Sequence, residues 1–563
     1  MTFFQVIALD LDGTLTSRGR LSPQALDAIY DARRKGLTVI LVTGRIGAEL
    51  QAEFPRIDDY FDALVLENGA VAVVKGHADA VAEPVDSALD DALTERRLPY
   101  RRGEVLVAID GDHAATVVEV IGELELDCQI VRNRDALMVL PAGVTKGNGL
   151  DAVLTKVNLS PHNAIAVGDA ENDLSMFGVA ELGVAVPNAV ASVLRHADLV
   201  LDEPDGAGVA GLLNGPYLTG ARRICPRRRW VDIGTFDDQS PARIPGSQGR
   251  ILVTGPAGSG KSYLVGLMAE RWIQAHYCVL VIDPEGEHVQ LRQLTGVRVV
   301  DGRDHLPEPI ELVNGLDPRT SLVVDMAGVA EPTKIEYLHR LRCTAEAHRE
   351  RHGFPHWVIY DEAHLLGIEE EAHWARRGGY VLSSFAPASL PAGEIDSSDV
   401  VLTLSDDDRA NMALARQAAV RFGCGQPRTF AIAERQTEHV RHRRKYADVR
   451  LPNERRFYFH ATEGQAIRPA ATMEEFRSAI SHLDQRTLLY HLDRGDFSRW
   501  LDGTIADKDF AKQVAAWEDE VSARHAADVE RMRDQLAHAI EERYLLEPAP
   551  DSSTAAEALS RPA

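Results

Sequence analysis

The stretch Val6-Ile7-Ala8-Leu9-Asp10-Leu11-Asp12-Gly13-Thr14-Leu15 decides how the first part of the chain folds. Its apolar start predicts a buried parallel strand, and the glycine and hydroxyl after it predict a tight turn. Strand alternation sends Asp10 and Asp12 to the same side, so the two like charges need a cation or hydrogen-bond donors between them. A lone Asp-x-Asp is more often a solvated turn at a strand end, but other residues in this chain favour a functional site.

Three further stretches place polar residues at the end of an apolar run or at the start of a helix. One run ends in Thr43, a helix start carries Lys146, and another run leads into a loop with Asp169 and Asp173. The last two carboxylates face the same way if a helix has begun there. With the opening stretch, these resemble motifs I to IV of the haloacid dehalogenase (HAD) superfamily of phosphotransferases, in the family's order. The four stretches are residues 6–15, 37–45, 143–147 and 164–173.

The resemblance implies a phosphoryl-transfer site. Asp10 would attack phosphorus to form an aspartyl-phosphate, and Asp12 would protonate the leaving oxygen and then deprotonate the hydrolytic water. An acid at position 12 favours a phosphatase over a dehalogenase, which does not need that proton. Mg²⁺ would be held by Asp10, the Asp12 carbonyl and Asp169, and it would offset the charge that repels the nucleophile from a phosphate dianion.

Two phosphate-binding groups and an orienting acid complete the implied site. Thr43 and Lys146 would bind phosphoryl oxygens, and Asp173 would orient the lysine or a metal-bound water. Each residue has an ordinary structural alternative, such as a solvated helix-start charge for Lys146 and a helix-surface carboxylate for Asp173. Four motifs in the family's order favour the site over these alternatives.

Length, charge and cysteine content limit the number of domains, the kind of partner and the cellular location that we expect. A chain of 563 residues is too long for one core and predicts about three domains of roughly 150 residues each. A formal net charge of −24 argues against a broad nucleic-acid-coating surface, although a local basic groove is left open. The five cysteines are scattered and predict free thiols, and no signal-peptide pattern or long uncharged apolar stretch occurs. We therefore expect a cytoplasmic protein with no membrane partner.

Residues 1–215 alternate apolar strands with helical patterns, which predicts an α/β domain whose functional groups lie at the carboxyl ends of a Rossmann-like parallel sheet. An insertion at about residues 80–140 has helical and strand-like segments of its own. It resembles the small α+β cap of the Cof-type (class IIB) branch, similar in extent to the caps of archaeal phosphoglycolate phosphatases. Residues 206–210 resemble the closing helix of that branch. The cap implies a small phosphorylated substrate.

A second phosphate site is predicted where an apolar strand leads into Gly255-Pro256-Ala257-Gly258-Ser259-Gly260-Lys261-Ser262 and then into an amphipathic helix. This context indicates a P-loop for ATP. Lys261 would reach the terminal phosphates and Ser262 the Mg²⁺, while backbone amides cradle the phosphates. A glycine-rich turn without a nucleotide is the structural alternative. The residues expected to provide the cradle are Gly255, Gly258, Ser259 and Gly260.

Residues 357–362 have the form of a Walker B strand. Asp361 would serve the metal shell, and Glu362 stands where a general base would activate water against the terminal phosphate. Together with Asp283-Pro284-Glu285-Gly286-Glu287, these features make residues 247–435 resemble the HerA/FtsK-like ATPases, which are nucleic-acid motors and related ring ATPases. The resemblance implies a nucleic-acid or protein partner and a homo-oligomer. Serines follow the next strand where that group often has a glutamine sensor, so coupling of hydrolysis to movement is left open.

The other segments are assigned by composition. Residues 216–246 hold closely spaced arginines and are predicted to be a basic linker before a P-loop ATPase domain at 247–450. The arginines between 435 and 456 would supply either an arginine finger to a neighbouring subunit or a solvated surface. Residues 451–545 show helical periodicity and predict a mainly helical accessory domain. Residues 546–563 predict a disordered tail.

The sequence thus predicts a Mg²⁺-dependent phosphomonoester hydrolase fused to a domain that binds and hydrolyses ATP. One alternative is a bifunctional nucleic-acid end-processing kinase-phosphatase. The Asp361-Glu362 pair and the cap argue against it, because they favour water activation and small substrates. Another alternative is a regulatory or motor protein in which ATP turnover gates the phosphatase or a partner.

Overall fold

The first predicted stretch forms strand β1, Val6–Asp10, in which every residue is buried. β1 lies in a parallel sheet between Thr38–Val42 and Ala164–Gly168, the strands that lead into Thr43 and Asp169. Strands buried on both faces need near-continuous apolar sequence, which all three have. The first domain therefore has the predicted α/β fold, and the polar residues that end these strands meet at one edge of its sheet.

The structure is a computed structural model in which residues 1–440 and 441–563 form two compact units. The first unit contains two α/β domains and the second contains the mainly helical module. The structure describes residues 3–133, 136–256, 259–302, 305–327, 329–366, 378–385, 390, 397–404, 416–438, 451, 453, 456–460, 466–505, 507–524 and 529–545. Within these ranges, no helix combines the length and the apolarity needed to span a membrane.

The first domain combines a main sheet with a separate cap. In chain order its elements are β1, β2 (Thr16–Ser17), β3 (Arg20–Leu21), α1 (Pro23–Arg34), β4 (Thr38–Val42), α2 (Gly47–Glu53), β5 (Ala63–Leu66), β6 (Val71–Val74), β7 (His77–Ala80), α3 (Ala88–Glu95), β8 (Tyr100–Arg102), β9 (Val107–Asp110), α4 (Ala114–Glu123), β10 (Cys128–Asn133), β11 (Ala136–Pro141), α5 (Lys146–Lys156), β12 (Ala164–Gly168), α6 (Leu174–Val179), β13 (Leu182–Ala185), α7 (Ala191–His196), β14 (Leu199–Val200) and α8 (Asp205–Leu213). The main sheet has the order β14-β13-β12-β1-β4-β5-β6-β7, with β6 and β7 antiparallel at its edge. In the cap, α3 and α4 pack on an antiparallel sheet of order β10-β11-β9-β8.

The second domain is built on one long sheet. Its elements are β15 (Val231–Phe236), β16 (Pro241–Ile244), β17 (Arg250–Thr254), α9 (Lys261–Gln274), β18 (Val279–Asp283), β19 (Val297–Asp301), α10 (Pro309–Asn314), β20 (Ser321–Asp325), α11 (Glu331–His352), β21 (Trp357–Tyr360), β22 (Tyr380–Ser384), β23 (Val400–Thr403), β24 (Gln417–Phe422) and β25 (Arg428–Ile432). The order is β16-β15-β25-β24-β23-β17-β22-β21-β18-β20-β19, and the part from β23 to β19 is parallel. β22 therefore lies between β17, which leads into the predicted P-loop, and β21, the predicted Walker B strand.

Part of the expected basic linker belongs to this sheet. Residues 231–244 form β15 and β16, and β15 pairs with β25 in antiparallel register. The burial of β15 alternates along much of its length, as expected for an antiparallel strand with one solvated face. The preceding arginines are also held in place, because Arg228 pairs with Asp198 and Arg229 donates to the carbonyls of Gly178 and Ala180.

The second unit has a core of its own. Apolar residues at helical spacing, such as Phe476, Ile480, Leu488 and Leu492, are almost fully buried in it. It is mainly helical, as predicted. Its elements are a hairpin of β26 (Phe457–His460) and β27 (Ala466–Ala470), followed by α12 (Met473–His482), α13 (Gln485–Asp493), α14 (Asp496–Trp500), α15 (Lys508–Arg524) and α16 (Val529–Ile540).

The two α/β domains of the first unit meet through the amino-terminal ends of their strands. Asn163, directly before β12, donates its side-chain amide to the Gly353 carbonyl, and its Oδ1 lies 3.2 Å from Nε2 of His356, directly before β21. Glu181, directly before β13, accepts a hydrogen bond from Tyr277, which lies two residues before β18. Since the predicted site residues follow the carboxyl ends of the strands, the two sites lie at edges that face away from this interface.

Candidate active sites

Lys146 joins two carboxylates in the first domain. Its Nζ donates to Asp10 Oδ1 and to Asp173 Oδ1, over 2.6 Å in each case. All three side chains are at most 5% exposed. Charge-assisted hydrogen bonds on both sides fix the position of the buried amine. The predicted nucleophile, lysine and orienting acid therefore lie in one cluster.

A third carboxylate completes a group that suits a metal ion. Oxygens of Asp10, Asp169 and Asp173 lie within 4.8 Å of one another, and carboxylate oxygens are the ligands that Mg²⁺ prefers. One lysine offsets only part of the charge of three carboxylates, so these residues fit a divalent cation. The sequence predicts Asp10, the Asp12 carbonyl and Asp169 as metal ligands, and the structure brings the side chain of Asp173 close to those of Asp10 and Asp169 as well.

Burial and like charge act on the nucleophile. Burial raises the pKa of Asp10 well above its ordinary value, the charges of Asp173 and Asp169 raise it further, and Lys146 acts in the opposite direction. Burial lowers the pKa of Lys146, but Asp10 and Asp173 outweigh burial and the net shift is upward. A carboxylate in this environment needs a cation beside it to remain ionised and nucleophilic.

The start of α5 is what places Lys146. The hydroxyl of Thr145 caps the helix by accepting from the Asn148 N–H. Gly69 packs against this cap with a φ of 106°, and a Cβ at that position would lie 1.9 Å from the Thr145 carbonyl oxygen. Only glycine combines this backbone conformation with such close contact. The loop after β5 and the first turn of α5 therefore hold each other in position.

Asp12 and Thr43 occupy the loops next to the cluster. Thr43 directly follows β4, is buried, and its Oγ1 accepts from the Arg45 N–H. Asp12 turns toward Arg45, whose Nε and Nη2 donate to its two carboxylate oxygens over 2.8 Å each. Sequence analysis assigned no role to Arg45, although its position two residues after Thr43 puts it at the same sheet edge. This guanidinium fixes the orientation of the predicted acid and base.

Glu67 ties the cap to the body of the domain. Its side chain is buried, and its two oxygens accept from the backbone N–H groups of Glu104, Val105 and Leu106 in the cap, over 2.7 to 2.9 Å. Glu67 follows β5, the strand beside the one that ends in Thr43. Glu67 was not among the predicted site residues, because no local pattern in the sequence marks a carboxylate that accepts from a distant loop.

The second domain positions the P-loop as predicted from its strand and helix. β17 leads into the loop, and Lys261 and Ser262 form the buried first turn of α9. Lys261 Nζ donates to the carbonyls of Gly255 and Pro256, over 3.1 and 2.9 Å. Ser259 and Gly260 precede the helix, and Gly260 has a φ of 103°. The remaining predicted cradle residue, Gly258, lies outside the described residues.

The two acids after β21 are buried. Asp361 Oδ2 lies 2.9 Å from His288 Nε2, and its Oδ1 accepts from the Glu362 N–H. Glu362 Oε2 lies 3.4 Å from His364 Nδ1. His288 ends a turn closed by Asp283, whose carboxylate accepts from its N–H. No local pattern in the sequence connects His288 with Asp361, which lies 73 residues further along the chain.

Comparison with known proteins bears on the first domain. Residues 7–94 and 110–213 match the haloacid dehalogenase-like hydrolase family model. A phosphoglycolate phosphatase of Archaeoglobus fulgidus is 33% identical over 222 residues, which cover 37% of this chain and 95% of that protein. The chain belongs to the haloacid dehalogenase-like hydrolases. A phosphoglycolate phosphatase of Halorubrum lacusprofundi is 31% identical over 224 residues, with 37% and 95% coverage.

Further matches are with a solved structure and with a second family model. A crystal structure of a haloacid dehalogenase-like hydrolase from Bacteroides thetaiotaomicron is 22% identical, covers 38% of this chain and 98% of that chain, and has a TM-score of 0.33. Residues 234–346 match the central domain of helicase HerA. This match includes the P-loop and Asp283 but ends before Asp361. The HAD-type hydrolase is therefore fused to a HerA-related domain, as the sequence predicts.

The expected arginine finger is only partly described. Arg441, Arg443, Arg444, Arg450 and Arg455 lie outside the described residues. Arg435 and Arg456 are described. The guanidinium of Arg435 donates to the hydroxyl of Thr437 and lies over the Tyr263 ring, 5.9 Å from its centroid. Nε of Arg456 donates to the Leu451 carbonyl over 2.9 Å.

Proposed function

We propose that this chain is a Mg²⁺-dependent phosphomonoester hydrolase that works through an aspartyl-phosphate, joined to a domain that binds and hydrolyses ATP. The observation that supports the first activity most is the buried Lys146 bound to both Asp10 and Asp173. It is a preorganised positive charge beside a carboxylate nucleophile, which is what a transferring phosphoryl group requires.

The reaction has two balanced steps. In the first, an Asp10 carboxylate oxygen bonds to phosphorus while the bond from phosphorus to the substrate oxygen breaks, and Asp12 gives that oxygen a proton. In the second, water attacks the same phosphorus, Asp12 takes a proton from the water, and inorganic phosphate leaves with the Asp10 carboxylate restored. Lys146 and Thr43 donate hydrogen bonds to the phosphoryl oxygens. Mg²⁺ bound to Asp10, the Asp12 carbonyl and Asp169 would supply further charge neutralisation.

Arg45 affects the two steps differently. Its two hydrogen bonds hold the carboxylate of Asp12 in one orientation, from which Asp12 would accept a proton from water. For the first step, Asp12 must carry a proton and turn from Arg45 toward the leaving oxygen. Arg45 thus acts as a positioning residue for the second step.

The substrate proposed is a small phosphate monoester. The cap has a compact core of its own, and hydrogen bonds from its backbone to Glu67 attach it to the loop beside the site. The relatives named above are phosphoglycolate phosphatases, so we propose a phosphorylated small carboxylic acid as the first substrate to test.

The proposed ATPase activity rests on the P-loop and on the acids after β21. Lys261 donates to loop carbonyls at the start of α9, from where its flexible side chain can reach a phosphate. Glu362, buried next to Asp361, is the proposed base for the attacking water. Because the two domains meet through the amino-terminal ends of their strands, we propose that the two reactions share no catalytic side chain.

Paired substitutions test this proposal. Asp10→Asn keeps the shape of the nucleophile but removes its charge, and it should lower Mg²⁺-dependent hydrolysis of phosphoglycolate by several orders of magnitude while ATP turnover continues. Lys261→Ala should abolish ATP turnover and leave the phosphatase intact. Loss of ATP hydrolysis in Asp10→Asn would mean that ATP is a substrate of the first site. Loss of both activities in a folded Lys261→Ala protein would favour the alternative in which ATP turnover gates the phosphatase.

A further inference from the structure

The second unit contains a cavity that the phosphatase and ATPase activities do not use. It has a volume of about 490 Å³ and lies between the β26 hairpin and the segment from the end of α13 to α14. Pockets for small organic ligands have volumes of roughly 300 to 1,000 Å³. The cavity is therefore large enough for a metabolite-sized molecule.

Positive charge surrounds this cavity. Of the described residues that line it, Arg456, Arg494 and Arg499 are cationic and Asp496 is the one carboxylate. Asp496 is already engaged, because Oδ2 binds His491 Nδ1 at 2.8 Å and Oδ1 accepts from Arg499. Guanidiniums do not lose their charge at accessible pH, so an excess of them attracts anions. The excess of positive charge at this cavity contrasts with the net charge of −24 of the whole chain.

The arginines differ in how firmly they are held. Arg499 donates to the carbonyls of Gly495 and Arg494 as well as to Asp496. Arg494 is 57% exposed, and its Nε lies 3.6 Å from Asp496 Oδ2, beyond hydrogen-bonding distance. Its guanidinium also lies over the Tyr490 ring, 5.3 Å from the centroid. Arg494 can therefore turn to an anion at little cost in existing bonds.

Aromatic rings line the rest of the cavity. Phe457 and Trp500 belong to the buried core beneath it, while Tyr458 is 38% exposed and Tyr490 is partly exposed. His491 is fixed as part of this wall, because Nδ1 binds Asp496 and Nε2 accepts from the His460 N–H. Burial lowers the pKa of His491, which favours its neutral form, so the permanent positive charges of the cavity are those of the three arginines. Flat rings next to guanidiniums suit a ligand with both a planar group and a phosphate.

We propose that this cavity binds a nucleoside monophosphate or a similar phosphate monoester with a planar ring. The phosphate would bind to Arg494 and Arg456, and the ring would stack on the tyrosines. The module would then be a ligand-sensing part of the protein. This inference does not depend on the proposed phosphatase or ATPase activity.

Isothermal titration calorimetry of the full chain tests the proposal, with adenosine 5′-monophosphate and inorganic phosphate as probes and EDTA present. Arg494→Ala should weaken binding of adenosine 5′-monophosphate by at least about tenfold, since it removes a charge-assisted hydrogen bond. The matched control is Arg486→Ala, an exposed arginine on α13 that does not line the cavity. Its affinity should equal that of the parent. The parent should also bind adenosine 5′-monophosphate at least about tenfold more tightly than inorganic phosphate, because base stacking contributes.

Three results would overturn the proposal. They are no binding of adenosine 5′-monophosphate by the parent, equal affinities in the Arg494→Ala and Arg486→Ala variants, and equal affinities of the parent for the two probes. The first two would mean that the cavity is not a phosphate site, and the third would mean that the aromatic wall binds no ring.

Discussion

Glu181 is a carboxylate at the interface between the two α/β domains of the first unit. It is fully buried, and it accepts hydrogen bonds from Tyr277 and Ser247 of the second domain over 2.9 and 2.5 Å. It also binds His162 Nδ1 at 2.9 Å. The other nitrogen of His162 faces the Ala275 carbonyl at 3.0 Å. Both ring nitrogens of His162 therefore lie within hydrogen-bonding distance of an oxygen atom.

Glu181→Ala should destabilise the first unit by roughly 3 to 5 kcal/mol. It leaves three donors at a buried interface without their acceptor. Each buried donor without a partner costs about 1 to 3 kcal/mol, and the cost is lower where a serine hydroxyl can turn to another acceptor. With an unfolding entropy of about 2.1 cal/mol/K per residue, a loss of about 4 kcal/mol lowers Tm by about 4 °C if residues 1–440 unfold together. It lowers Tm by about 9 °C if the first domain unfolds alone.

The assay is differential scanning calorimetry of the full chain, with Glu95→Ala as the control because Glu95 is an exposed glutamate. Phosphatase and ATPase rates well below the transition should not change, since neither site touches Glu181. A Tm within about 1 °C of the parent, in a folded Glu181→Ala protein, would refute this account of the interface. A single transition that shifts by about 4 °C would show that the domains unfold together.

The pH dependence follows from the same residue. Burial raises the pKa of Glu181, but the hydrogen bond and charge of His162, with Arg229 and Ser247, outweigh burial and lower it below its ordinary value of 4.5. Because the pKa of Glu181 is lower in the folded state, its ionised form stabilises the folded protein at pH values above 4.5, the ordinary pKa. This contribution is lost as the pH falls through the folded-state pKa. The Tm difference between the parent and Glu181→Ala should therefore be constant near neutral pH and shrink only below about pH 4.5.

Three further substitutions test the sites. Arg45→Ala should lower the phosphatase kcat roughly 10- to 100-fold with little change in KM, because Asp12 loses its two donors; a change confined to KM would contradict this. Glu67→Gln should lower kcat/KM about tenfold, because the glutamine amide cannot accept hydrogen bonds from all three cap N–H groups. An unchanged kcat/KM would show that the hydrogen bonds of Glu67 do not position the cap. Glu362→Gln should still bind ATP but hydrolyse it about 100-fold more slowly, and equal turnover would rule out Glu362 as the base.

Sequence alone determined the strands that carry the predicted sites. The apolar run from Val6 to Leu9 can be satisfied only by burial on both faces, and the acid that ends it marks the edge of the sheet. Local sequence features also predicted the positions of Thr43 after a buried strand and of Lys146 and Lys261 at the starts of helices. These features are contained in a few adjacent residues, because strand burial, helix starts and phosphate-binding turns are local properties of the backbone.

Tertiary structure alone decided which distant groups meet. Three sets of contacts join residues that are 33 or more positions apart in the chain. They are the two hydrogen bonds from Arg45 to Asp12, the hydrogen bonds from the cap backbone to Glu67, and the contact between His288 and Asp361. Sequence also could not show that β22 lies between β17 and β21, or that two strands inside the expected linker extend the second sheet. Strand order and side-chain pairing depend on which surfaces pack together, and that free energy is spread over residues far apart in the chain. For the same reason, the buried polar interface at Glu181, which turns the two sites away from each other, left no local pattern in the sequence.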